Sequence, residues 1–202
     1  MQQSGKRVGA RTLLVLLALI LCGAGLLSCS TSPYTDQQVL AIFSELYEKS
    51  LAINEYVWGK GLPVAEYDST KIPEEGPYFV LLAESAPYRT RESLMAAIGE
   101  VYTAKYIADV IAPMLFDGLR GREDYSPHYQ ETKAGLFRNV TFSAMEPAGQ
   151  FLPETARVLS SSATSAELAV TYRLFAEGGA DKEYRLTMSY GRDGWRFDST
   201  TM

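Results

Sequence analysis

Histidine is almost absent from this chain and cysteine nearly so: 202 residues carry one histidine and two cysteines. The single imidazole, His128 in Ser126-Pro127-His128, has no recognisable nucleophile motif beside it. A lone loop histidine of this kind reads as ordinary surface rather than as a catalytic base. It also argues against zinc, whose sites favour nitrogen and sulfur ligands over the carboxylates that remain. No glycine-rich phosphate loop, calcium loop or internal repeat is present. The acidic pairs Glu74-Glu75 and Glu123-Asp124 sit in loops flanked by proline or glycine. They read as solvated charge, not as the two separated carboxylates of a glycoside hydrolase. Positive charge is scarce as well, with 19 basic against 24 acidic residues and a formal net charge of −5. Such a balance excludes attraction to nucleic acid. A long apolar run is also lacking. The stretch Leu13 to Cys22 falls short of the ~18–20 residues a membrane span needs, and Gly23 and Gly25 follow it at once. By this inventory the chain is not an enzyme and calls for no cofactor or metal.

What the N-terminus does contain is a basic start (Lys6, Arg7, Arg11), that short apolar run, and Leu26-Leu27-Ser28-Cys29. A basic region, an apolar region and a small residue at the cleavage point make a secretory signal. The cysteine at that point makes the segment resemble a bacterial lipoprotein signal, which implies removal of residues 1–28 and acylation of Cys29. More than one acyl chain makes such anchoring stable, and palmitate is an expected component. The mature chain then begins at Cys29 and is extracytoplasmic, held to the cell membrane through that residue. Cys22 leaves with the signal, so no disulfide forms. Losing three basic residues and no acid moves the formal charge from −5 to −8. A basic protein surface suits such a chain better than an anionic headgroup.

Residues 29–34 read as a short tether and 35–202 as one domain, helical over about 35–120 and rich in strands over about 125–202. Thr35-Asp36-Gln37-Gln38 is a capping-box pattern, and Val39, Ile42, Phe43, Leu46 and Tyr47 follow on one helical face. This helix runs toward Tyr56, with Gly59, Gly61 and Pro63 as stop signals. Tyr78 to Leu82 reads as a short strand. Thr90 caps a second helix and Thr103 a third, and Pro113 is expected to bend that third helix or end its regular hydrogen bonding. Beyond it the period changes to two. Leu168, Val170, Tyr172 and Leu174 alternate with polar or small residues, as do Tyr184, Leu186, Met188 and Tyr190, then Trp195 and Phe197. Turns are expected at 177–181 and at Gly191-Arg192-Asp193-Gly194. A further hairpin is expected around Gly135, between 128–131 and 136–139, and another strand over 156–161. The class is α+β, with N-terminal helices packed on a curved antiparallel sheet formed mainly by the C-terminal half.

Thirteen tyrosines accompany these elements. Most fill a core at such spacings, while Tyr56 and Trp58, near a helix end, are candidates to line a pocket rim. The succession Tyr56-Val57-Trp58-Gly59-Lys60-Gly61-Leu62-Pro63, then Tyr88-Arg89-Thr90-Arg91-Glu92-Ser93-Leu94, then Val101-Tyr102-Thr103 resembles the IseA family of exported DL-endopeptidase inhibitors. The closing hairpin Tyr190 to Phe197 fits the same pattern. In order of elements the resemblance spans residues 36 to 200, and its specific part is 56 to 103. It implies a protein that binds an NlpC-type cell-wall peptidase and limits peptidoglycan hydrolysis. On that reading the acidic loops Glu74, Glu75, Glu123, Asp124 and Tyr125 form the interface. The alternative is a lipoprotein module that binds a small ligand or peptidoglycan fragment in an aromatic-lined pocket of a cystatin-like, cone-shaped domain.

Overall fold

The computed structural model of the chain describes residues 32–118, 126–142, 149–175, 180–199 and 201. The signal segment, Cys29, residues 123–125 and most of the turn at 177–181 lie outside them. Helix α1 spans Asp36–Val57 and opens on a full capping box. The Gln38 amide donates to Thr35 Oγ1 at 3.3 Å, and the Thr35 amide donates to Gln38 Oε1 at 2.9 Å. Together they satisfy two donors that a helix start otherwise leaves open. Val39, Phe43, Leu46, Tyr47, Ser50, Ile53, Asn54 and Val57 form its buried stripe. Each large apolar member removed from water contributes about 1.5–3 kcal/mol.

The end of α1 is equally well determined. The Trp58 and Gly59 amides donate to Asn54 O, and the Gly61 amide reaches back to Glu55 O at 3.0 Å. Gly61 has φ +80°, and a Cβ there would stand 2.7 Å from both Arg138 Cδ and His128 Nε2. Only glycine combines that backbone conformation with so close an approach. The chain thereby turns from α1 onto the first sheet.

That sheet is three-stranded and antiparallel, in the order β1-β3-β2. Strand β1 is Phe79–Leu81, β2 is Tyr129–Thr132 and β3 is Gly135–Asn139. The expected hairpin around Gly135 is present, with Thr132 opposite Gly135, and β1 pairs along the other edge of β3. A four-stranded antiparallel sheet follows in the order β4-β5-β6-β7, made of Gly149–Ser161, Ser165–Leu174, Lys182–Gly191 and Gly194–Phe197. The strands therefore form two sheets, not one. The class is α+β as the sequence predicts, with the larger sheet formed by the C-terminal half, while the hairpin pairs with β1 from the helical half.

Helix α2, Arg91–Gly99, is capped by Thr90 as its sequence predicts. The third helix begins under Thr103 with one α-helical turn, Ala104–Tyr106 (α3). It then widens into π-helical stretches at Ile107–Ile111 and Pro113–Asp117. Regular α-helical hydrogen bonding thus ends at Ile107, before Pro113, and the helix continues past that proline to Asp117. Between α2 and α3, residues 101–103 pair in parallel with β7. The Phe197 amide donates to Val101 O at 2.8 Å and the Thr103 amide to Phe197 O at 2.9 Å. This pairing brings Tyr102 and Phe197 against Phe43 of α1, whose ring meets Phe197 edge-on at 6.0 Å.

Candidate functional site

The face of α1 that carries Tyr47, Leu51, Asn54 and Glu55 does not close completely on the four-stranded sheet. A cleft of about 230 Å³ remains between it and the paired ends of β4 and β5, with Thr201 at its base. Its walls are Tyr47, Phe151 and Tyr172. The Tyr47 and Phe151 rings are perpendicular at 6.5 Å, and Phe151 and Tyr172 lie 4.9 Å apart. Leu51 and Phe175 stand at the mouth with 47% and 59% of their surface in solvent, a degree of exposure that marks them as unpartnered apolar groups. Gly149 permits the close pairing of the two strands, since a Cβ there would lie 2.1 Å from Arg173 O.

Polar groups at the base are engaged with one another. Tyr102 donates its hydroxyl to Asn54 Oδ1 at 2.5 Å, and Asn54 Nδ2 donates to Thr201 Oγ1 at 3.0 Å. The Thr201 hydroxyl passes on to Ser50 Oγ, which donates to Tyr47 O. Burial pushes the Tyr102 phenol up to about 12, against the opposing pull of its bonds to Thr201 and Asn54. It is therefore a neutral donor at any physiological pH. The network holds α1, residue 102 and the C-terminus in register, and leaves the cleft above it with apolar character.

The predicted site residues lie elsewhere. Tyr56 is half-buried against Tyr88, with ring centroids 5.9 Å apart. Trp58 is buried, and its indole nitrogen has no hydrogen-bond partner. Neither lines the cleft, whose α1 wall is Tyr47, Leu51, Asn54 and Glu55. Glu74 and Glu75 are exposed in the loop before β1, away from the cleft. Glu123, Asp124 and Tyr125 fall outside the described residues.

His128 overturns the expectation of a surface histidine: it is only 1% exposed. Its ring stacks on Phe142 at 4.0 Å and 11°, and its centroid lies 4.5 Å from that of Tyr129. Its Nδ1 lies 3.4 Å from Val57 O. A carbonyl can only accept, so the proton of the neutral ring sits on Nδ1. Burial, seconded by the nearby Arg138 charge, lowers its pKa to about 4 despite that bond. Tyr129 donates to Tyr56 O at 2.8 Å and accepts from the Leu62 amide at 3.0 Å, while Arg138 Nη1 donates to Leu62 O at 2.7 Å. The aromatic-glycine-proline block at 56–63 is thus the joint that fastens the end of α1 to β2 and β3.

A second depression lies between α1 and the β6–β7 hairpin, bounded by Glu45, Lys49, Glu100 and Arg196. Its cations are already engaged. Lys49 pairs with Glu45 at 2.7 Å, and Arg196 donates to Gly99 O, Trp195 O and Asp193 O. Among the described residues no three His, Cys, Asp or Glu side chains gather as a metal site, and no helix is long and apolar enough to cross a membrane.

Comparison with known proteins gives no family model that matches the chain and no curated protein that matches its sequence.

Proposed function

We propose that this chain is an extracytoplasmic binding protein, anchored to the cell membrane through acylated Cys29, whose working site is the aromatic cleft between α1 and the β4–β5 pair. The observation that carries this reading is the exposure of Leu51 and Phe175 above an aromatic pocket whose polar base is internally satisfied. Its lining is chiefly aromatic and apolar, with Glu55 as its one carboxylate, a composition that suits binding. The anchor reading rests on the basic start, the short apolar run and Leu26-Leu27-Ser28-Cys29. Mapping of amide shifts by NMR as phenylethanol is added tests the site. Shifts concentrated at Leu51, Asn54, Phe151 and Phe175, and abolished by Phe175→Ser, are expected. Shifts scattered over the surface would overturn it.

A second reading, inhibition of a cell-wall peptidase, is favoured by the exposed loop that carries Glu66, Asp68, Glu74 and Glu75. Acidic side chains there suit a basic hydrolase and raise the rate of encounter with it. Titrating the chain into an NlpC-type peptidase tests this reading. Stoichiometric loss of cleavage that weakens with salt supports it, and unchanged cleavage rejects it.

A further inference from the structure

The cleft has a charge as well as a shape. It lies along the C-terminal half of α1, whose last turn contains no basic residue. The negative end of the helix dipole is thus uncompensated from within the helix. Glu55, in that same half, folds back over Gly59: its Oε1 accepts from the Lys60 amide at 3.2 Å, and its Oε2 lies where a residue-59 Cβ would stand at 2.5 Å. Burial raises the phenol pKa of the wall residue Tyr47, seconded by the charges of Glu48 from α1 and Glu154 from β4, neither of which lines the cleft. Neither carboxylate forms an ion pair among the described residues. Of the basic groups nearby, Arg173 is held by Asp181 at 3.2 Å and also faces the Glu154 charge, and Lys182 stands opposite Tyr172; none of them lines the cleft. Among the lining residues Glu55 is therefore the one charged group, and it stands with the C-terminal end of α1 beside an aromatic pocket.

Resting on the reading of this cleft as the binding site, we propose that its ligand is a small organic ammonium ion: a cationic nitrogen on an apolar stem of about one aromatic ring. The size follows from the volume. A cavity of about 150 Å³ admits benzene, so about 230 Å³ admits a ring with a short arm. The charge follows from the surroundings, because ring faces and carboxylates both attract a cation that sheds little hydration. The stem packs between Leu51 and Phe175, and the nitrogen lies toward Glu55 and the end of α1. A carboxylate on the same stem meets repulsion, and a hydroxyl meets neither attraction nor repulsion.

The test compares three probes of equal stem, phenethylamine, phenylethanol and phenylacetate, by NMR titration of the full chain in a non-ionic detergent at neutral pH. Phenethylamine is expected to bind about tenfold more tightly than phenylethanol, as one cation–π contact and one uncompensated helix end together provide. Phenylacetate should bind weakest, and Glu55→Gln should narrow the spread, as should added salt. Equal affinity for all three probes at Leu51, Phe151 and Phe175 would overturn the charge preference while the cleft stands. No shift at those residues with any probe would overturn the cleft and the preference together.

Discussion

Acidification should loosen this fold through one residue. His128 is neutral in the folded chain because its ring lies against Phe142 and Tyr129 with almost no solvent contact, and its pKa is lowered to about 4. In the unfolded chain the same imidazole titrates near 6.5. The unfolded state thus binds more protons between those values, so stability is full above about pH 6.5 and declines as pH falls toward 4. At ~1.4 kcal/mol per unit the total is about 3 kcal/mol, a large fraction of the ~5–15 kcal/mol that holds a domain together. Urea unfolding followed by tryptophan fluorescence at several values from pH 7 to pH 4 measures it, with His128→Asn as the comparison. Asparagine retains a donor for the Val57 carbonyl and does not titrate, so the variant should begin less stable and lose about 3 kcal/mol less on acidification. Parallel decline of both proteins would show that the pH dependence comes from other groups and would refute the argument.

Other consequences can be checked separately. Gly61→Ala should cost at least about 2 kcal/mol, since it places a Cβ in a left-handed backbone and against two side chains. Gly76→Ala has a similarly positive φ but nothing within 4 Å, so it should cost only about 1 kcal/mol by thermal melting. Asn54→Ala removes the acceptor of the Tyr102 hydroxyl and a donor to Thr201 but leaves those two hydroxyls 3.1 Å apart to pair with each other, so a loss of about 1 kcal/mol in chemical denaturation is expected. Phe175→Ser removes an exposed ring and should move stability by less than about 0.5 kcal/mol while abolishing probe binding at the cleft. Cys29→Ala should prevent incorporation of labelled palmitate and release the protein from membranes; labelling that persists would contradict the anchor.

Local chemistry made much of the fold legible. Thr35 with Gln38, and Thr90, announce helix starts because a cap is an interaction among neighbours in sequence. Leu168 to Leu174 and Leu186 to Met188 announce strands because one face of a sheet is buried. The first half of β4 was hidden for the opposite reason. Pro153 interrupts any alternation, and the register jumps between Leu152 and Arg157. Thr155 replaces part of the ladder there, since its hydroxyl accepts from the Thr171 amide at 2.9 Å and donates to Leu152 O at 2.7 Å. The division into two sheets depends on which distant strands pair, a tertiary choice without a local signal.

His128 was misjudged for a similar reason. Its burial is produced by Phe142, by Tyr129 and by the turn at Gly61, which are separated from one another along the chain. The cleft was the least legible part. It joins α1 to β4, β5 and residue 201, and its aromatics are indistinguishable by spacing from those of the core. One trace was available: Leu51 follows Tyr47 by four residues and precedes Glu55 by four, a line of side chains along α1 at the edge of its buried stripe.

The most direct test of the cleft as the binding site is crystallographic. Crystals of the protein grown with phenethylamine should show the ring between Leu51 and Phe175, over Tyr47 and Phe151, with its nitrogen toward Glu55. An empty cleft in crystals that hold the amine at other surfaces would contradict the account.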